Sequence, residues 1–427
     1  MKVASLRQQR QQKGDERAKQ VLAAIKVQTA YRLLRLVYLK FGPNIFCKCN
    51  GEPAPYGTLH FTRGIGQQHS AKFICVAQNT KMTLLCHFVE RYWKVPTPDV
   101  VIDVTGSTRD FHLDSRIART ITDGLDAVLR TTSCWIMTGA FDAGLSRLVG
   151  QAVRSSGVNA PIIGVGNWSA VKGRDILQLE SCRGDSVTYN SIELAQITKG
   201  KDAGQETSLY LNSDCTHCML VDNPKSGSRP AGGALATDST LRARFVDAYT
   251  DRKHLAVVML IVQGNLAALD AALTAARGRT PIICVSGSGG CADAILSAVF
   301  GKASDDEIAD REVLRASEAE DMFQNSAARE KLATLVALHV ANGRQLITAF
   351  DCLNDEEKSL STTMLEAIVR IQCQGLYGTG EASELDIDAV TSVLKLAINW
   401  DRLQIARTIV DSDLLNDVCH AASKNPG

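Results

Sequence analysis

The sequence predicts an α/β fold in which helices cover a parallel sheet, followed by an all-α helical-repeat extension. Three observations predict it. Short continuous apolar runs recur at VVIDV (100–104), CWIM (134–137), PIIGV (161–165), HCMLV (217–221), LAVVMLIV (255–262) and PIICV (281–285). Amphipathic stretches of helical length lie between most of them, the arrangement of strands buried on both faces. Beyond residue 303 the apolar runs give way to amphipathic segments joined by short polar breaks.

Taken in order, residues 1–45 begin with a basic, Gln-rich lead and continue as AKQVLAAIKVQTAYRLLRLVYLKF, with apolar residues at helical spacing and Arg or Lys between them. A basic amphipathic helix is expected there. Val27-Gln28-Thr29-Ala30-Tyr31-Arg32-Leu33-Leu34-Arg35 loosely resembles an IQ-type calmodulin site, so residues 20–40 are a candidate calmodulin segment; packing on the protein itself or on a sister subunit is the stronger reading. Residues 41–98 carry Pro and Gly at irregular intervals and read as loops with short strands. The segment 46–302 reads as a Rossmann-like domain, its strands separated by DSRIARTITDGLDAVLR (114–130), AGLSRLVGQAV (143–153), DSTLRARFVDAY (238–249), NLAALDAALTAA (265–276) and CADAILSAVF (291–300). In 303–427 the segments AEDMFQNSAAREKLATLVALHVA, GRQLITAF, NDEEKSLSTTMLEAIVRIQC and ELDIDAVTSVLKLAINWDRLQIARTIV read as stacked helices of a solenoid-like domain.

Composition narrows the function. Lys and Arg number 47 against 46 Asp and Glu, a formal charge of +1, so no global field recommends nucleic acid or an acidic partner. The longest apolar run, 255–262, is far short of the roughly 18–20 residues a membrane span needs. The thirteen cysteines are scattered through apolar runs and the start, MKVASLRQQRQQKGDER, is polar, which suits a reducing, cytosolic setting. Cys47-Lys48-Cys49 and Cys215-Thr216-His217-Cys218 offer four soft ligands for zinc. The stronger reading is small core residues, because Cys218 leads directly into Met219-Leu220-Val221 and Cys-x-Cys is not the usual knuckle spacing; no metal is expected.

The strand ends share one chemistry. They read VTGSTRD (104–110), TGAFDAG (138–144), GVGNW (164–168), VQGN (262–265) and SGSGG (286–290). Each places Gly or a hydroxyl residue where a strand meets a helix, and the carboxyl ends of an open α/β sheet line its ligand crevice. Glycines admit close backbone approach, and N–H groups at helix starts bind phosphate oxygens. Gly106, Ser107, Gly264, Gly287, Ser288 and Gly289 are candidates on this ground, for a nucleotide or another phosphorylated ligand. Gly and Ser are common at such turns in any case, and only their concurrence points to a phosphate. No G-x-x-x-x-G-K-[ST] occurs, and the first turn lacks G-x-G-x-x-G, which argues against a P-loop NTPase and an ordinary NAD dehydrogenase.

Four stretches carry a resemblance: GIGQQH (64–69), VTGSTRDF with WIMTGAFDAG, THCMLVD (216–222) and LKLAINWDRLQIAR (394–407). From about 45 to 410 the chain resembles the N-terminal cytosolic region, the first two melastatin homology regions, of the melastatin-type transient receptor potential (TRPM) channels. It is most similar to their ADP-ribose-gated member. The resemblance implies a SLOG-type nucleotide-sensing α/β domain, a helical solenoid contacting sister subunits of a tetrameric channel, and ADP-ribose or a close analogue as ligand. It puts Thr105, Gly106, Asp110, Thr138, Gly139 and Ala140 at the ligand, Gly164, Asn167 and Trp168 as the floor, and Arg242 on the ligand's phosphates. Relatives carry an Arg at the position of Gly290 and an aromatic near Leu235, and this sequence has neither. The SLOG type is related to phosphoribohydrolases, whose PGGxGTxxE segment follows the strand equivalent to 255–262. Here the chain reads Gln263-Gly264-Asn265-Leu266-Ala267-Ala268-Leu269, the Glu is missing, and Asp270 is the only nearby acid. The expected function is therefore a calcium-channel ligand sensor, not an enzyme. A phosphoribohydrolase-like enzyme and an assembly or calmodulin-binding module are the alternatives.

Overall fold

A computed structural model describes residues 48–49, 52–53, 55–63, 67–107, 113–180, 186–191, 209–222, 236–301, 326–351, 359–372 and 387–410. The candidate calmodulin segment, Cys47, Asp110 and Leu235 lie outside these residues. Two compact units divide the chain, 1–54 and 55–427. The described part of the first is an antiparallel pair of two-residue strands, β1 (Lys48–Cys49) and β2 (Glu52–Pro53).

The second unit is built on a sheet of ten strands in the order β12-β11-β10-β5-β6-β7-β9-β4-β3-β8. They are β3 (Tyr56–Arg63), β4 (Gln67–Ala77), β5 (Val100–Gly106), β6 (Cys134–Gly139), β7 (Ile162–Asn167), β8 (Ser186–Tyr189), β9 (His217–Asp222), β10 (Ala256–Val262), β11 (Ile282–Val285) and β12 (Ile347–Phe350). All neighbours are parallel except β3 and β4, so β3 and β8 run against the rest. The predicted runs became β5, β6, β7, β9, β10 and β11 because each is predominantly apolar; every residue of β10 is buried.

The helices are α1 (Met82–Phe88), α2 (Ser115–Thr131), α3 (Gly144–Ser156), α4 (Arg174–Glu180), α5 (Ala236–Lys253), α6 (Leu266–Arg277), α7 (Gly290–Phe300), α8 (Ser326–Ala341), α9 (Leu360–Gln372), α10 (Ile387–Asn399) and α11 (Leu403–Val410). Asp114 caps α2 by accepting the Arg116 N–H at 2.8 Å, and α2 buries the stripe Ile117, Ile121, Leu125, Val128. The crossovers β5-α2-β6-α3-β7 and β10-α6-β11 lead in opposite directions from the β5/β10 pair. Right-handed connections therefore put α2 and α3 on one face of the sheet and α6 on the other. α5 and α8 pack with α6, and α9 packs with α2.

Two expectations are corrected. Tyr56–Arg63 and Gln67–Ala77 form an antiparallel pair longer than the short strands expected: Leu59, Phe61, Ala71 and Phe73 alternate with polar residues, and every residue from Phe73 to Val76 is buried. GRQLITAF is not helical: its last four residues are β12, which pairs with β11 from Ile282↔Ile347 to Val285↔Phe350. Strand pairing thus runs past 302, and α9 packs on β10, β11 and β12 rather than in a free-standing solenoid.

Candidate functional site

β5, β6 and β7 end side by side under the first turns of α5, and a small cleft of about 20 Å³, room for about one water, opens between them. Val104, Gly106 and Ser107 come from the end of β5, Thr138 and Gly139 from β6, and Val165 from β7. Helix α3 adds Leu145 and Ser146, and α5 adds Asp238, Ser239 and Arg242. The two glycines let α3 sit close. A Cβ at Gly139 would lie 2.5 Å from Ser146 Oγ, and one at Gly106 would lie 2.6 Å from Leu145 Cδ2 while running into the Val262 carbonyl. Thr138 is fully buried, and its hydroxyl has no hydrogen-bond partner. A buried orphan of this kind costs about 1–3 kcal/mol, and a ligand atom in the cleft removes that cost.

The charges of the site are arranged around Arg242. It is 4% exposed, with Nε 2.8 Å from Asp103 Oδ1 and Nη2 donating to Thr105 Oγ1 at 2.5 Å. The Nε contact is an ion pair without a directed hydrogen bond, and Asp103 Oδ2 has no hydrogen-bond partner. Burial pushes the Asp103 carboxyl above the usual carboxylate range, while the Arg242 charge and the bond from Thr105 pull it back. Asp238, also wholly buried, is pushed up to about 7 by burial, against the Ser239 N–H that it accepts at 2.8 Å and the charge of Arg242.

Of the sequence candidates, Gly106, Ser107, Thr138, Gly139 and Arg242 line the cleft. Thr105 stands behind them as the hydroxyl that Arg242 bonds. The others lie elsewhere. Ala140 and Gly164 pack together beneath the β6 end, where a Cβ on Gly164 would lie 2.8 Å from Ala140 Cα and 2.7 Å from Cys215 Sγ. Asn167 accepts from Ser169 N at 2.9 Å and Ser169 Oγ at 2.7 Å, forming the turn that buries Trp168.

The SGSGG turn closes on itself. Gly287 and Gly289 donate their N–H groups to the two carboxylate oxygens of Asp293 at 2.9 and 2.8 Å. Ser288 donates to Val285 O at 2.7 Å and accepts Gln263 N at 2.8 Å. Gly264, at φ 93°, and Gly290, at φ 56°, complete this packing, and a Cβ on Gly290 would run into the Gly264 carbonyl. An arginine does not fit that position in this backbone. Sequence reasoning missed Ser146, Asp238 and Ser239; the Asp-Ser pair opening DSTLRARF is a helix-start signal that was available.

Among the described residues no group of three or more His, Cys, Asp or Glu is placed to hold a metal ion. Cys215 and Cys218 are buried and free, and the hydrogen bond between their side chains, with burial, pushes the Cys215 thiol well up. Among the same residues no helix is long and apolar enough to cross a membrane.

An open, mostly parallel sheet with a hydroxyl-lined cleft over its strand ends defines an α/β domain of the ligand-crevice class. Residues 71–335 match the family described as SLOG in TRPM, and the chain belongs to that family. It is similar to transient receptor potential cation channel subfamily M member 2 of Rattus norvegicus, 24% identical over 84% of this chain and 23% of that protein. Member 6 of Homo sapiens is 26% identical over 82% of this chain and 16% of that protein, and member 4 of Rattus norvegicus is 25% identical over 83% and 28%. The chain thus spans about a quarter or less of the length of these relatives.

Proposed function

We propose that the chain is a ligand-sensing module on the cytoplasmic face of a tetrameric, calcium-permeable cation channel. It binds ADP-ribose or a closely related nucleotide in the strand-end cleft, and preference for one conformation shifts the closed-to-open equilibrium. The channel context rests on what the relatives are named; the ligand class rests on the cleft. The observation that carries the binding reading is Thr138, a fully buried hydroxyl without a partner in a cleft whose wall also includes the hydroxyl residues Ser107, Ser146 and Ser239. A sensor is favoured over a hydrolase because Asp270, the acid that follows β10, is paired with Lys331 at 2.5 Å and is not part of the cleft wall.

The test is titration calorimetry with ADP-ribose on the wild type and on Thr138→Val, with AMP as a control. The substitution removes the orphan hydroxyl and keeps the shape, so the unfolding midpoint stays or rises while the ADP-ribose Kd weakens by about fivefold to thirtyfold, the worth of one hydrogen bond of about 1–2 kcal/mol. Equal affinities would place the ligand elsewhere, and flat heats from a folded wild type would defeat the reading.

A further inference from the structure

The cleft's charge balance is unusual for a phosphate site. Among the described lining residues the one cation, Arg242, is held 2.8 Å from Asp103. Asp238 stands in the same wall, wholly buried, as a second carboxyl group. Among the described residues Arg242 is the one charge that offsets it in part, and Arg147 of α3 is paired with Asp142 at 3.1 Å. The helix of Asp238 supplies Arg242, and β5 supplies Asp103 behind that arginine. β6 and β7 contribute the uncharged Thr138 and Val165, and β9 ends in another acid, Asp222. On α6, Asp270 is engaged with Lys331. The turn after α1 sets Glu90 against Arg252 and Lys253, with His87 beside it, at the far end of α5.

We propose that Asp238 gates the cleft by charge, so that the phosphates of a nucleotide diester enter only as its carboxyl takes up a proton. The inference rests on the strand-end ligand reading above. Near neutrality both forms of Asp238 are populated, since burial holds it at about 7. The carboxylate repels a phosphate in a low-dielectric wall, whereas the protonated carboxyl donates to it, as the unpartnered Thr138 hydroxyl does. The sign follows. Below the Asp238 value the proton is already in place and affinity is flat; above it each pH unit lowers affinity by about tenfold, the slope of one linked proton.

ADP-ribose is the probe, because its pyrophosphate diester has no proton that titrates in this range. Calorimetry at pH 6, 7 and 8, in two buffers of different ionisation enthalpy, is expected to show a Kd about fivefold weaker at pH 8 than at pH 7 and about tenfold weaker than at pH 6, with close to one proton taken up on binding at pH 8. Asp238→Asn keeps an oxygen for the Ser239 N–H and is expected to bind equally at pH 6 and 8 without proton uptake. A wild-type Kd constant from pH 6 to 8 with no proton uptake overturns the proposal, whether or not the variant folds. So does an unchanged pH dependence in Asp238→Asn. Absence of binding at pH 6 by folded protein removes the nucleotide reading as well, which separates the two failures.

Discussion

Replacing Arg242 with alanine tests whether this residue belongs first to the protein's own electrostatics. The substitution leaves Asp103, 1% exposed, without its counter-charge and leaves the Thr105 hydroxyl without the donor at 2.5 Å. With charge centres about 4 Å apart and an effective dielectric of about 20, the lost attraction is about 4 kcal/mol. Breaking buried pairs costs about 3–5 kcal/mol in measured cases. Asp103 recovers part of the loss by protonation. Its carboxyl is already held up by burial, and without the guanidinium the folded state keeps the proton to still higher pH. Stability of the variant therefore falls as pH rises above the ordinary carboxylate value, and the loss is larger at pH 8 than at pH 5. Urea unfolding followed by circular dichroism at both pH values is the assay, with Asp103→Asn added to Arg242→Ala expected to restore more than half of the deficit at pH 8. An equal loss at both pH values, or no recovery in the double variant, would refute the reasoning.

Gly290→Arg is expected to destabilise by about 2 kcal/mol or more, since φ is 56° and the new Cβ meets the Gly264 carbonyl; a thermal midpoint equal to wild type would contradict this. Asp293→Ala frees the N–H groups of Gly287 and Gly289 and is expected to cost about 1–3 kcal/mol. Hydrogen exchange should show those two amides losing protection first, and unchanged protection would show that the turn does not depend on the carboxylate.

The central strands were legible because each of their runs is predominantly apolar, Asp103 of β5 apart, which is how a strand with helices on both faces must read. β3 and β4 were not, because alternation broken by Gly, His and Gln resembles loop composition, and the burial that arranges it comes from β9 and β8. β12 was missed because ITAF is four residues long, too short for any period to assert itself against the helices around it. In the site, the β5 and β6 turns fall in the cleft wall, and the N–H groups of Gly287 and Gly289 in the β11 turn are taken by Asp293. Asp293, three residues after Gly290, was the sign that SGSGG carries its own anion. Arg242 was located but its first partner was not, although an Asp in the middle of VVIDV is itself a demand for a buried cation.

The sheet order also constrains how the protein comes to its native state. Val100 pairs with Ala256, and Lys72 with His217, so the centre of the sheet closes only after long stretches of chain have been gathered in. Such topology slows folding, because loop-closure entropy is lost before the contacts that repay it exist. Asp103 has the same schedule: β5, β6 and β7 come from consecutive sequence and associate early, whereas the counter-ion of Asp103 arrives on α5. Until that helix docks, the nascent sheet either keeps this carboxyl wet or keeps it protonated. The docking that neutralises Asp103 is the same docking that roofs the cleft, so the buried ion pair and the cleft form in a single event.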